Sequence, residues 1–88
     1  MKIKVELFGF CRELSDKDYI DLELNENSKI KDVRDQIIEI VKTKFPENNN
    51  YLEMIKKSAF SSKDEIIEDT YKLKNDDAVS IIPPIGGG

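Results

Sequence analysis

Residues 78–88 read AVSIIPPIGGG, a strand-like apolar run followed by two prolines and a glycine triplet. The run alternates, so Val79 and Ile81 are expected to face a core while their neighbours face outward. Both prolines lack the N–H that a sheet requires and have a fixed φ, so the sheet has to stop there. We therefore expect a globular domain over residues 1–83 and a flexible C-terminal tail over residues 84–88.

The expected tail carries a carboxylate on a thin arm. Beyond the prolines, four residues span at most roughly 13 Å when extended, and glycine has no side chain to obstruct a narrow passage. Such an arm suits insertion into the active site of another protein, where ATP could activate the carboxylate of Gly88 as an acyl adenylate. The alternative is that the glycine triplet is only a frayed chain end.

The composition indicates one small globular domain. The chain has 88 residues, of which 39% are hydrophobic and 36% charged, so a single core is feasible without disulfides. A net charge of −4 argues against nucleic-acid binding, which needs a basic patch, and suits a basic protein partner instead. Because neither a long apolar run nor a basic-then-apolar leader is visible, we expect a cytoplasmic protein that makes no membrane contact.

The residue counts also limit the chemistry. With one cysteine and no histidine, the chain offers neither a disulfide framework nor a cysteine-based metal site, and no Ser/His or Cys/His nucleophile pair. We expect no metal and no bound cofactor. Cys11 could carry sulfur itself, or it could be a small half-buried apolar residue near a strand end.

The first half of the chain predicts a hairpin and one long helix. Residues 2–8 alternate and predict a half-buried strand with Phe8 on its outer side, and residues 19–24 alternate again after a polar turn. Asn27 or Ser28 is expected to cap the following helix, which should end at Pro46. Arg34 is expected to lie away from its apolar stripe, which comprises Ile30, Val33, Ile37, Ile40 and Val41.

The second half predicts short strands before the final one. Residues 51–55 could form a short helical turn, while residues 58–61 and 65–68 have hairpin spacing. The order of elements indicates an α+β roll, a mixed sheet of four to five strands covered on one face by one main helix. If the first and last strands are neighbours, Phe8 and Ile82 meet on the uncovered face and need a partner.

Two segments carry a resemblance to a known family. KIKVELFGFCREL, residues 2–14, resembles the first strand and turn of the small subunit of molybdopterin synthase, the MoaD family, whose aromatic-x-x-x-Arg-Glu pattern falls on Phe8, Arg12 and Glu13. LKNDDAVSIIPPIGGG, residues 73–88, is similar to the family's ending, and its Pro-Pro-φ-x-Gly-Gly terminus is the most specific part. Asp76 stands where the family usually has glycine.

The resemblance implies a ubiquitin-like β-grasp fold and the function of a sulfur carrier. In that family, an adenylating E1-like enzyme uses ATP to activate the terminal glycine, here Gly88, which then becomes a thiocarboxylate. The tail enters the large subunit of molybdopterin synthase and donates sulfur to precursor Z. Catalytic groups are therefore expected on the partners, and the expected assembly is a heterotetramer with a dimer of large subunits.

The same resemblance implies roles for individual residues. Phe8, Ile66 and Ile82 correspond to an apolar patch that docks on both partners, and Arg12 could pair with a partner carboxylate. The residues expected to guide or form the tail are Pro83, Pro84, Ile85, Gly86 and Gly87. Ordinary sheet packing is the alternative for Phe8 and Ile82, and a solvated turn is the alternative for Arg12.

Three alternative functions remain at this point. One is a sulfur carrier of the thiamine-pathway ThiS type, although such chains are usually shorter and lack the Pro-Pro pair. Another is a protein modifier, in which Gly88 forms an isopeptide bond with a lysine of a target. The third is a purely structural interaction domain with an inert tail.

Overall fold

The structure is a computed structural model that describes residues 1–84. The elements follow one another as β1 (Lys2–Leu7), a 3₁₀ helix (Gly9–Leu14), β2 (Tyr19–Glu23), α1 (Ile30–Lys44), α2 (Asn49–Lys57), β3 (Ala59–Ser62), β4 (Glu65–Ile67) and β5 (Ala78–Ile82). The five strands form one sheet in the order β2-β1-β5-β3-β4, in which only β1 and β5 are parallel. The predicted α+β architecture with a mixed sheet is confirmed.

The alternating pattern of β1 places its apolar residues in the core. Ile3, Val5 and Leu7 are buried, and β1 lies beside β5 with Leu7 opposite Ile81. The strand ends at Leu7, one residue earlier than predicted, because the chain then turns into the 3₁₀ helix. Phe8 keeps an extended backbone at this junction, with φ −128° and ψ 153°.

Helix α1 supplies the other wall of the core. Four of the five predicted stripe residues are buried, namely Ile30, Val33, Ile37 and Val41, while Ile40 is half-buried. Each fully buried aliphatic side chain contributes about 1.5–3 kcal/mol relative to an exposed one, so this stripe fixes the helix on the sheet. Neither helix within residues 1–84 is long and apolar enough to cross a membrane.

The prediction that Asn27 or Ser28 caps α1 is wrong. Ser28 instead donates its hydroxyl to the carbonyl of Asn25 at 2.6 Å, and Asn27 has a positive φ of 69°. The turn before the helix therefore uses the Ser28 side chain and the left-handed backbone of Asn27 for its own geometry. The carboxylate of Asp32 caps the helix by accepting from the Lys29 N–H at 2.8 Å.

Residues 49–57 form a longer helix than the single turn predicted for residues 51–55. Asn48 caps this helix by accepting from the Tyr51 N–H at 3.2 Å. Tyr51 packs on Phe10, with ring centroids 5.1 Å apart, and on Phe45, at 4.7 Å. Since Ile55 is also buried, tertiary packing rather than local propensity holds this short helix.

Arg34 holds the C-terminal end of α2. Its Nη1 donates to the carbonyls of Ile55 at 2.9 Å and Ser58 at 2.7 Å, and its Nη2 donates to the Asp69 carboxylate at 2.8 Å. The guanidinium also lies 5.0 Å from the centre of the Phe60 ring. These contacts bury the Arg34 side chain, which is only 16% exposed.

Candidate functional site

The sheet face opposite α1 carries the predicted docking residues, and we call this surface the open face. Phe8 is 42% exposed and Ile82 is half-buried. Because Leu7 lies opposite Ile81 in the parallel pair, the next residues along, Phe8 and Ile82, lie side by side. The structure thus brings together the two apolar residues that the alternation placed on this face.

Ile66 belongs to the same face but lies farther across the sheet. It is 67% exposed and pairs with Ser61, which in turn pairs with Ser80 of β5. Ala59 lies opposite Ile82. Together with Ser61 and Ser80, it fills the space between Ile82 and Ile66 with small side chains. The open face is therefore shallow. Small side chains form its middle, and larger apolar side chains lie on either side, Phe8 and Ile82 at the ends of β1 and β5 and Ile66 on β4.

Arg12 lies beside the Phe8 end of the open face. The 3₁₀ helix carries it, and its Nε donates to the Leu7 carbonyl at 3.4 Å. Arg12 is exposed and lines a depression of about 190 Å³ together with Lys4, Glu6, Leu7, Phe8 and Asp18. Its guanidinium is thus presented next to the apolar pair, where a partner carboxylate could reach it.

The start of the tail is fixed by a contact between Gly9 and Pro83. Gly9 has a positive φ of 59°, and a Cβ added there would lie 3.0 Å from Cγ of Pro83. Glycine is needed for both reasons, since an L side chain is strained at this φ and would also press on the proline ring. Pro83 and Pro84 are half-buried, so the chain leaves the sheet in a defined direction.

Substituting Gly9→Ala is expected to lower the free energy of unfolding by about 1–2 kcal/mol, because alanine must adopt a left-handed backbone. The Pro83 ring would also have to move by a few tenths of an ångström. Denaturant unfolding measures the loss, and the Pro83→Ala background separates the two causes. If the ring contact matters, Gly9→Ala costs less in that background; an equal cost in both would assign the effect to backbone strain alone.

The predicted tail extends beyond the part of the chain that the structure describes. Ile85, Gly86, Gly87 and Gly88 lie outside the described residues, so their predicted roles stay predictions. The division of the chain into a domain over residues 1–83 and a tail over residues 84–88 also stays a prediction, although β5 ends at Ile82. Within residues 1–84, no group of three or more cysteine, aspartate or glutamate side chains is arranged to hold a metal ion.

Cys11 is part of the core and not half-buried as predicted. Its exposed fraction is 0%, and burial raises the pKa of its thiol to about 12. Because only the thiolate is a good nucleophile, this geometry opposes the use of Cys11 as a sulfur acceptor in the folded protein.

The Cys11 thiol is expected to resist iodoacetamide at pH 8 in the native protein and to react once the chain is unfolded in guanidinium. The pKa of the Cys11 thiol is higher in the folded protein than the value of 9.0 expected for the unfolded chain. The stabilisation that comes from burying the neutral thiol is therefore complete below pH 9 and is lost as the pH rises toward about 12. Mass spectrometry of the alkylated protein reads both states. Rapid native labelling would contradict the burial of this side chain.

A family model named the ThiS family matches residues 5–88 of this sequence, which is nearly its whole length. The chain belongs to the ThiS family. This match covers the first resemblance segment from residue 5 onward and the whole of the second, with its Pro-Pro-Ile-Gly-Gly-Gly ending. The resemblance to ubiquitin-like proteins of the MoaD/ThiS kind is thereby confirmed at the level of the family. A comparison with curated protein sequences found no match.

Solved structures share the fold over nearly the full chain. SAMP1 from Haloferax volcanii has a TM-score of 0.71 at 13% identity, with all of both chains covered. A putative molybdopterin converting factor subunit 1 from Pyrococcus furiosus has a TM-score of 0.66 at 25% identity, covering 96% of this chain and 98% of that chain. Subunits 1 and 2 of the molybdopterin-converting factor from Helicobacter pylori form a complex whose matching chain has a TM-score of 0.56 at 23% identity, with all of both chains covered.

These likenesses confirm the ubiquitin-like β-grasp fold predicted for the sequence. The similar structures include both a small archaeal modifier protein from Haloferax volcanii and subunits of a molybdopterin-converting factor, so the fold by itself does not distinguish the two functions.

Proposed function

We propose that this chain is a sulfur carrier that serves as the small subunit of molybdopterin synthase. An E1-like enzyme would join the Gly88 carboxylate to AMP from ATP, with release of pyrophosphate. Sulfide supplied by the sulfur donor would then attack the acyl carbon, displace AMP and leave a thiocarboxylate. The thiocarboxylate transfers its sulfur to precursor Z within the large subunit, and water restores the Gly88 carboxylate. This chain supplies the carrier, and the partners supply the catalytic groups.

One observation carries this proposal: the family match extends through the whole C-terminal segment, from the end of β5 to Gly88. The relative from Pyrococcus furiosus, itself named as a putative molybdopterin converting factor subunit 1, supports the molybdopterin branch of the family. The Pro-Pro pair before the glycines supports it further.

The open face is the surface that we assign to docking. The Phe8 and Ile66 side chains are 42% and 67% exposed, so neither is used for packing within the domain. Ile82 lies beside Phe8 and completes this apolar patch. The Helicobacter pylori complex shows that a protein of this fold associates with a second subunit. By analogy, this chain would dock on a large subunit, two copies binding a dimer of large subunits, and would use the same face for the adenylating enzyme.

Phe8→Ala is expected to weaken binding to the large subunit about tenfold or more, because truncating an aromatic anchor of an interface commonly removes that much affinity. The melting temperature should change little, since Phe8 is 42% exposed. Calorimetric titration measures the affinity. Tyr71→Ala is the matched control, because Tyr71 is another exposed aromatic residue and lies at the N-terminal end of α1, where its carbonyl accepts from the Ile30 N–H. Equal losses of affinity in both variants, or a large loss of stability in Phe8→Ala, would indicate that Phe8 serves packing within the sheet and not docking.

The likeness to SAMP1 favours a second candidate function, that of a protein modifier. The same acyl adenylate would then be attacked by a lysine amine of a target instead of by sulfur. A carrier of the thiamine-pathway type is a further possibility within the family and shares the loading step with the main proposal.

The test is intact-mass spectrometry of the chain after incubation with ATP, an active adenylating enzyme and a sulfur donor. Replacement of one oxygen by sulfur supports the carrier function, and return to the original mass on addition of large subunit and precursor Z assigns it to molybdopterin synthesis. Loading without discharge to precursor Z would point to the thiamine-type carrier. Absence of loading, with Gly88 found linked to lysine, would replace the proposal by the modifier function.

A further inference from the structure

Strand β2 forms one edge of the sheet, and a groove lies between its C-terminal end, the loop that follows it and α1. The Met1 and Leu24 backbones exchange two hydrogen bonds, of 2.6 and 2.8 Å, and the Leu7 N–H donates to the Asp18 carbonyl at 2.8 Å. In an antiparallel pair such bonds recur at every second residue. The backbone groups of residues 18, 20, 22 and 24 therefore point toward β1.

The intervening residues of β2 point their backbone groups the other way. The N–H and C=O groups of Tyr19, Asp21 and Glu23 face away from β1, and β2 is the last strand of the sheet formed by residues 1–84. An extended peptide could pair with these groups and add a sixth strand. The opposite edge strand, β4, spans only three residues and offers less backbone for such pairing.

The groove between β2 and α1 has a volume of about 360 Å³ and is strongly acidic. Its lining includes the carboxylates of Glu23, Asp32, Asp35 and Glu39, together with the amides of Asn25 and Gln36. All of these except Asp32 are exposed, and Asp21 adds another carboxylate along the same strand. The Met1 ammonium, 3.7 Å from Glu23, lies at the strand end and neutralises only part of this charge.

We propose that the β2 edge and this groove bind an extended, lysine- or arginine-rich segment of a partner protein by strand addition. The free backbone groups at the edge provide pairing, and the carboxylates of α1 select basic side chains at every second position of the added strand. This site uses neither the tail nor the Phe8 end of the open face. A test of this site therefore does not depend on whether Gly88 is loaded with sulfur.

The charges on β2 have a simpler explanation, which the test has to address. Charged side chains at a sheet edge often serve only to prevent aggregation. That explanation accounts for Asp21 and Glu23, but it does not account for Asp35 and Glu39, which belong to α1 and face the same groove. A protective role also predicts that the backbone groups of β2 stay unpaired when a basic strand is offered.

The probe is an end-blocked octapeptide that alternates lysine and threonine, added to the full chain in low salt and followed by amide NMR. We expect saturable shifts confined to β2 and the exposed side of α1, with slower hydrogen exchange at the amides of Tyr19, Asp21 and Glu23. Neutralising the groove with Asp35→Asn and Glu39→Gln should weaken binding about three- to tenfold, since exposed ion pairs are individually weak. The matched control is Asp64→Asn with Glu65→Gln, which removes two carboxylates at the start of β4, the strand at the opposite edge of the sheet.

A second pair of variants separates strand addition from simple charge attraction. Asp21→Pro removes an outward N–H that the sheet itself does not use, whereas Asp21→Asn removes the same charge and keeps the N–H. Binding should be lost in Asp21→Pro and largely retained in Asp21→Asn. Equal binding by both variants, shifts centred on Phe8 or Ile66, or no saturable shift would overturn the proposal. Shifts at the β2 amides that depend on protein concentration without peptide would assign the edge to a second copy of this chain and also overturn it.

Discussion

Deletion of Gly87 and Gly88 is expected to abolish sulfur loading of this chain. Each extended residue spans about 3.3–3.6 Å, so the deletion withdraws the carboxylate by roughly 7 Å from where the partner's active site would need it. A misplacement of even 1 Å can reduce a reaction rate about 100-fold, so this displacement leaves no productive geometry. Intact-mass spectrometry after incubation with ATP, adenylating enzyme and sulfur donor should show only the unmodified mass.

Two controls make this result specific to the tail. The core is formed by residues from Ile3 to Ile81, so the melting temperature of the deletion variant should match that of the full chain. Binding to the adenylating enzyme through the open face should also persist, which separates docking from chemistry. Normal loading on Gly86 in the shortened chain would show that tail length is not decisive and would count against the proposed insertion.

The sequence patterns were sufficient for the sheet and the main helix. Period-two alternation placed Val5 inward and Phe8 outward, and the apolar stripe of α1 placed Val33 and Ile37 in the core, because burial on one face imposes the periodicity of the element. The same logic placed Phe8 beside Ile82, once β1 and β5 were taken as neighbours. These parts of the candidate site follow from local rules.

Other parts depend on contacts between distant segments. The contact of Gly9 with Pro83 joins residues 74 positions apart, and neither local sequence predicts it. The helix over Asn49–Lys57 is stabilised by Tyr51 packing on Phe10 and Phe45, which a three-asparagine loop does not suggest. The acidic groove likewise becomes visible only when α1 and β2 are placed side by side.

Arg34 is the clearest case of a residue whose role was hidden from the sequence, and its replacement is expected to have the largest effect on stability. It connects α1 with the carbonyls of Ile55 and Ser58 and with the carboxylate of Asp69. Hydrogen bonds to charged groups contribute about 1.5–3 kcal/mol each before the desolvation of the partners is counted, and these bonds are not additive. We expect Arg34→Met to lower the free energy of unfolding by about 2–3 kcal/mol.

A loss of that size should lower the melting temperature of a domain of this length by at least about 8 °C, measurable by circular dichroism. Arg34→Lys keeps the charge but cannot hold two carbonyls and a carboxylate in the fork geometry of a guanidinium, so it should recover only part of the loss. Arg12→Met is the matched control, because Arg12 is exposed and donates one long bond of 3.4 Å. Full recovery in Arg34→Lys would mean that charge alone suffices, whereas an unchanged melting temperature in Arg34→Met would mean that water replaces every bond the guanidinium makes.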